Sequence, residues 1–204
     1  MKEEVKDIIT TFIIPTIGRP SLINTINSLL FQTNPNWKAI IIFDGIEPTI
    51  NTSLDPRINI IKCPKLGEGK NSAGNVRNFG IKQANTLWVS FLDDDDVISY
   101  DYIETLINEL KYNVDIIIFR MIINNRILPT LDTYGLIGGE VGIGFSIKKS
   151  IFDDGHIFYP SYKEDYDYLI EASNKKYKLM ISPYIKYFVH KYNSCPLIGN
   201  RIFI

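Results

Sequence analysis

The chain has 204 residues, a formal net charge of −1, 45% hydrophobic residues and 22% charged residues. These are the proportions of an ordinary globular protein, and at this length folding buries roughly 70% of the unfolded chain's surface, enough for a real core. The near-neutral balance offers no electrostatic footprint for nucleic acid, no apolar run approaches the ~20 residues of a membrane-spanning helix, and the charged start MKEEVKD lacks the apolar stretch of a signal peptide.

Residues 8–14 are a β-branched run ended by Pro15, which predicts a buried strand. Residues 15–20 read as a turn, and Ser21 is placed to cap a helix that carries Leu22, Ile26, Leu29 and Leu30 on one face. A second strand over 38–43 ends at Asp44-Gly45. A polar, proline-bearing loop over 47–57 separates it from a third strand at 58–61. A Gly-rich loop at 66–71 leads into a helix over 72–84. The apolar run 87–92 is a fourth strand, and it opens directly into four consecutive aspartates, Asp93 to Asp96. A helix over 100–112 and a fifth strand over 115–120 follow. Beyond 120 the alternation weakens: a hairpin over 121–131, five glycines within 135–144, a strand at 145–147, a helix over 163–174, and strands at 178–181 and 185–190. Trp37 and Trp88 read as core.

This order predicts an α/β fold: one domain over 1–204, with a mostly parallel central sheet flanked by helices and a smaller mixed extension. Near-continuous apolar strands agree, because parallel sheets are buried on both faces. The two cysteines, Cys63 and Cys195, are far apart and outside any Cys-x-x-Cys pair, so buried reduced thiols and a cytoplasmic location are expected.

Pro15-Thr16, Asp44-Gly45 and Asp93–Asp96 all fall at carboxyl ends of predicted parallel strands, the rim where open α/β folds bind ligands. Asp44 could accept from a base N–H or a ribose hydroxyl there, or simply form a turn. Four adjacent carboxylates repel one another and raise one another's pKa unless a cation neutralises them, and a hard divalent metal prefers oxygen ligands. Three other readings compete. Asp93, Asp95 and Glu104 have calcium-loop spacing, but Ile98 stands where that loop needs glycine and Val97 where it needs an oxygen. Asp93-x-Asp95 after an apolar strand also fits a phosphatase nucleophile, although that motif belongs on the first strand of its domain. The third reading is a solvated acidic turn. Arg19, Lys65 and Lys70 could steer an anion. Tyr159, Tyr162 and Tyr166 could stack on a sugar.

Residues 12–33, FIIPTIGRPSLINTINSLLFQT, resemble the opening of a family 2 glycosyltransferase. GNVRNFGIKQANTLWVSFLDDDD resembles that family's central signature, in which an Arg-Asn-x-Gly helix leads to a strand and an Asp-x-Asp motif. VGIGFSIKKSIF, KEDYDYLI and VHKYNS resemble its acceptor region, its Glu-Asp pair and its late His segment. The resemblance implies a GT-A, Rossmann-like fold, an inverting mechanism, a nucleotide-sugar donor expected to be a UDP-sugar, and Mn²⁺ or Mg²⁺. It implies a glycan or other hydroxyl acceptor, with about 1–97 binding the donor and about 98–204 the acceptor. Pro15, Thr16, Arg19, Asp44, Arg77 and Asp94 would bind the nucleotide. Asp93, Asp95 and His190 would hold the metal. Asp96, Gly139 and Glu164 would face sugar or acceptor, and Asp165 would be the catalytic base. One departure stands out: the family often has two aspartates after its second strand, whereas here Phe43 precedes Asp44. The apolar tail could pack on the domain, on a twin subunit in a homodimer or on a membrane-associated partner.

Overall fold

A computed structural model describes residues 8–50, 55–67 and 73–189. His190, Lys70 and Cys195 lie outside the described residues.

The five predicted strands of the first half form as β1 (Thr10–Thr16), β2 (Trp37–Asp44), β3 (Ile58–Cys63), β4 (Trp88–Phe91) and β6 (Ile116–Ile123), with a short β5 (Val97–Ile98) directly after the aspartates. The second half adds β7 (Arg126–Leu128), β8 (Phe145–Lys148) and β9 (Leu179–Phe188). Their order across the sheet is β3-β2-β1-β4-β8-β6-β9-β5, with β7 paired to β6. The longer ladders, β1 with β2, β2 with β3, β1 with β4 and β6 with β9, are parallel. β8 is antiparallel to both β4 and β6 and joins the parallel half to the mixed half.

The helices are α1 (Leu22–Leu30), α2 (Ala73–Ile81), α3 (Tyr102–Glu109), α4 (Lys149–Asp153) and α5 (Glu164–Asn174). Successive strand residues point to opposite faces. Phe12 meets Tyr102 of α3 at 5.4 Å between ring centroids, while a Cβ on Gly80 of α2 would lie 2.8 Å from Ile13 Cγ2. Helices therefore cover both faces of the sheet, and Gly80 allows α2 to approach β1 and β2 closely. Phe12, Ile13, Ile41, Phe43, Val89 and Phe91 are fully buried, as expected for a sheet sandwiched between helices. Trp37 and Trp88 are buried, and Cys63 is a buried free thiol.

Three expectations need correction. Ser21 occupies the N-cap position of α1, but its backbone is helical and its side chain makes no capping bond. The helix over 100–112 is an eight-residue α-helix finished by a 3-10 turn. The strands at 178–181 and 185–190 are one strand, β9, whose exposed Pro183 sits where the register against β6 shifts, the place a proline is tolerated. The strand expected at 145–147 forms as β8, antiparallel to its neighbours within the mixed half, and the short helix α4 follows it directly.

Candidate functional site

Strand ends build the site. β1 ends at Thr16, whose hydroxyl donates to Asp94 Oδ2 at 2.6 Å. Arg19, in the turn after β1, donates from Nη1 to Asp94 Oδ1 at 2.8 Å and to Asp95 Oδ2 at 3.1 Å. The loop carrying the aspartates is held from below by α1, where Thr25 Oγ1 donates to the Asp96 carbonyl at 2.7 Å. Gln32, just past α1, donates to the Ser99 carbonyl at 2.6 Å and accepts from the Ile103 N–H at 3.1 Å. The Gln-Thr that closes this segment thus links α1 to the residues following the aspartates.

β2 ends at Asp44, which is buried and already surrounded by donors: Lys65 Nζ at 2.5 Å, the Leu66 N–H at 2.7 Å and the Gly67 N–H at 3.1 Å. Burial works to raise its pKa, but Lys65 and the two N–H groups outweigh burial and hold it below the ordinary carboxylate range. Asp44 thereby pins the loop after β3 over the cleft.

The centre of the site is Arg77 on α2. Its side chain is 3% exposed and meets three carboxylates: Nη2 to Asp93 Oδ1 at 2.6 Å, Nη1 to Glu164 Oε1 at 2.6 Å, and Nη1 to Asp165 Oδ1 at 3.3 Å. Burial opposes the guanidinium's charge, but Asp93, Asp165 and Glu164 together raise its pKa above the ordinary value. Glu164 also accepts from the Gly74 N–H at 3.0 Å, so a carboxylate meets the positive N-terminal end of α2. Glu164, Asp165 and Asp167 occupy the first turn of α5, so they also complement that helix's dipole.

Asp165 is the most perturbed carboxyl of the cleft. The protein packed around it strips its hydration and pushes its pKa up to about 7; Arg77 works to lower it, and Asp93 and Glu164 add to the rise. A quarter of its side-chain surface, 26%, still opens to the cleft. Burial also raises Asp94 above the ordinary carboxylate value, against the lowering effect of Thr16 and Arg19. Asp93, Asp95 and Asp96 each present a carboxylate oxygen within 4.8 Å of the others. The Tyr187 hydroxyl, from β9, accepts from the Asp93 N–H at 3.2 Å and is hydrogen-bonded to Asp96; burial pushes its pKa well up.

These groups surround a cleft of about 590 Å³. Pro15, Thr16, Arg19, Asp44, Arg77, Asp93, Asp94, Gly139, Glu164 and Asp165 all line it. Asp95 and Asp96 stand beside it within the acidic cluster. The 135–144 glycine segment brings Gly139 and Val141 to the wall. Tyr162 and Tyr166 line the wall next to Asp165, Tyr162 being 88% exposed. Tyr159 is also exposed and lies off the lining. Lys65 lines the cleft but is paired with Asp44.

Three contributors escaped the sequence reading. Tyr187 touches the aspartate loop from a position 94 residues after Asp93. Thr25 supports that loop from α1. Arg120, buried on β6, donates to the Pro129 and Thr130 carbonyls and to the Thr133 carbonyl at 3.2 Å, anchoring the segment that leads to Gly139. The Tyr187 and Thr25 contacts join residues 94 and 71 positions apart, a separation that leaves no local signal, whereas Arg120 reaches carbonyls 9 to 13 residues ahead of it.

The sequence-family model for Glycosyl transferase family 2 matches residues 11–163. An uncharacterized glycosyltransferase of Rickettsia bellii is 32% identical over 118 residues, covering 55% of this chain and 16% of the relative. The Escherichia coli UDP-Glc:alpha-D-GlcNAc-diphosphoundecaprenol beta-1,3-glucosyltransferase WfgD is 27% identical over 151 residues, covering 68% of this chain and 58% of WfgD. Among solved structures, S. aureus TarS residues 1–349 superposes with a TM-score of 0.70 at 16% identity, over 89% of this chain and 60% of that one. The same TarS fragment in complex with UDP-GlcNAc superposes at 0.66 with 17% identity, over 91% and 59%. At these identities the structural likeness carries the fold. The chain spans less than two thirds of each of these relatives.

Proposed function

The chain belongs to glycosyl transferase family 2, and from that premise we propose that it moves a sugar from a UDP-sugar to an acceptor hydroxyl with inversion, using Asp165 as base. The observation that carries this reading is Arg77, one buried guanidinium that touches both the first aspartate of the Asp-x-Asp motif and the candidate base across a single cleft. A likeness to TarS in complex with UDP-GlcNAc and to a UDP-glucose-dependent relative supports the choice of donor.

The cluster of Asp93, Asp95 and Asp96 offers only carboxylate oxygens, the donor set that suits Mn²⁺ or Mg²⁺. Such an ion, when bound, neutralises charge on the leaving diphosphate as a Lewis acid. The chain's own residues do the rest. Thr16, Arg19 and Asp94 form one linked wall at the end of β1 for the nucleotide. Asp165 takes the proton of the acceptor hydroxyl as the new bond from acceptor oxygen to C1 forms and the bond from C1 to the phosphate oxygen breaks. A base working on the face opposite the leaving group gives inversion. A carboxyl poised near 7 suits this task, because it is ionised enough to accept a proton yet basic enough to hold it. The acceptor is a hydroxyl of a glycan or of a lipid- or protein-linked sugar, entering past Tyr162 and Tyr166.

Asp93 as a phosphoryl-accepting nucleophile has less support. Its Oδ1 is engaged by Arg77, and β4 is the fourth strand of the chain rather than the first. The discriminating experiment is Asp165→Asn. Donor affinity should stay within about twofold of wild type while transfer is lost. Wild-type turnover in that variant would move the base elsewhere. Donor binding by the wild-type chain without any turnover would leave a non-catalytic sugar-nucleotide module.

A further inference from the structure

α2 presents Gly74, Arg77 and Asn78 on one face, the spacing that groups residues three and four apart. That face docks the strap that delivers Asp165. Residues 156–161 belong to no helix or strand, so their backbone groups need partners from elsewhere. Asn78 supplies them at the middle of the strap. Its Nδ2 donates to the Phe158 carbonyl at 2.8 Å, and its Oδ1 accepts from the Phe158 N–H at 2.9 Å. The side-chain amide thus pairs with one backbone residue as a neighbouring strand would.

The surroundings make this clamp specific. The Phe158 ring is buried, stacks on Tyr168 of α5 at 4.3 Å and lies 5.6 Å from the Arg77 guanidinium. A Cβ on Gly74 would lie 2.8 Å from both Phe158 Cβ and Glu164 Oε2, so α2 and the strap are in direct contact. The strap's beginning is fixed separately: buried His156 is hydrogen-bonded through Nε2 to the Tyr168 carbonyl at 2.9 Å.

We propose that Asn78 is a positioning residue that sets where Asp165 stands relative to Arg77 and the donor, a role that rests on the reading of Asp165 as base. It stands outside the lining of the cleft and acts by fixing Phe158, six residues before α5 begins. A displacement near 1 Å at a reacting group costs on the order of 100-fold in rate, so losing the clamp should show in turnover rather than in donor binding.

The test uses Asn78→Leu, which removes both hydrogen bonds, and Asn78→Asp, which keeps the acceptor for the Phe158 N–H and guards against a variant that fails to fold. Hydrogen exchange read by mass spectrometry should be about tenfold faster or more over 156–166 in Asn78→Leu and intermediate in Asn78→Asp, with β1 and β2 unchanged. UDP affinity in Mn²⁺ should stay within about twofold. Release of UDP from UDP-glucose should lose about 10- to 100-fold in kcat with little change in KM. In an Asp165→Asn background, Asn78→Leu should add no further loss. Wild-type exchange over 156–166 in both variants overturns the proposal, and that measurement needs no turnover. So does a full additional loss on top of Asp165→Asn. Wild-type turnover by Asp165→Asn alone instead sinks the base assignment, so the two failures are distinguishable.

Discussion

Replacing Arg77 with Met probes the site's electrostatics most sharply. The guanidinium is buried and faces Asp93, Glu164 and Asp165 at 2.6, 2.6 and 3.3 Å. Met retains an apolar stem against Phe158 but leaves three carboxylates without their shared cation. Removing one partner from a buried ion pair costs about 3–5 kcal/mol. Two facts reduce that here. Glu164 keeps the Gly74 N–H, and Asp93 and Asp165 keep 34% and 26% of their side chains open to water, which screens their repulsion. The expected loss is therefore about 2–3 kcal/mol, and at about 2–4 °C per kcal/mol for a chain of this size Tm should fall by roughly 4–12 °C at pH 8. The sign with pH follows from the charges. Arg77 lowers the pKa of Asp165, so in its absence that carboxyl protonates at higher pH and the repulsion is relieved sooner. Thermal denaturation of both proteins from pH 8 to pH 5 should show the gap shrinking toward acid. An equal Tm at pH 8, or a gap that widens toward acid, would refute the assignment of Arg77 as the shared counter-ion.

The raised pKa of Asp165 predicts that kcat/KM climbs with pH and reaches half its plateau near pH 7, because the ionised carboxylate is the active form. A limb near 4, or one that survives in Asp165→Asn, would contradict this. The same shift has the opposite sign for stability: this group's contribution is full below its unfolded value of 3.8 and is lost as pH rises through about 7. Gly80→Ala should destabilise by about 1–3 kcal/mol, since its Cβ would sit 2.7 Å from Ile42 Cδ1 and 2.8 Å from Ile13 Cγ2. An unchanged Tm in that variant would mean that α2 has room to lift from the sheet.

The first half of the fold was legible because buried parallel strands write themselves as β-branched runs: TTFIIPT, WKAIIIFD and INIIKC appear as β1, β2 and β3. Strand ends then placed Thr16, Asp44 and Asp93 on one rim. The second half was harder. β8 is only four residues long and antiparallel, and strand direction leaves no mark in a short apolar run. β9 looked like two strands because Ser182-Pro183 interrupts the pattern, although the sheet absorbs the proline as an irregularity. Within the site, residue types were readable and partners were not. Nothing in the spacing of Arg77 reveals that it would meet Asp93, 16 residues on, together with Glu164 and Asp165 nearly 90 residues on. Ser21 had the chemistry of a cap without the geometry, while Asn78, readable only as part of the Arg-Asn-x-Gly helix, clamps the strap before α5.

The central claim is that the aspartate rim and the β1–β2 strand ends together form a metal-assisted UDP-sugar site. Calorimetric titration of the chain with UDP-glucose and UDP-GlcNAc, in Mn²⁺ and again after chelation with EDTA, tests it most directly. Saturable binding in Mn²⁺ that weakens about tenfold or more after chelation is the predicted result. No binding of any nucleoside diphosphate or its sugar in the presence of Mn²⁺ would contradict the account.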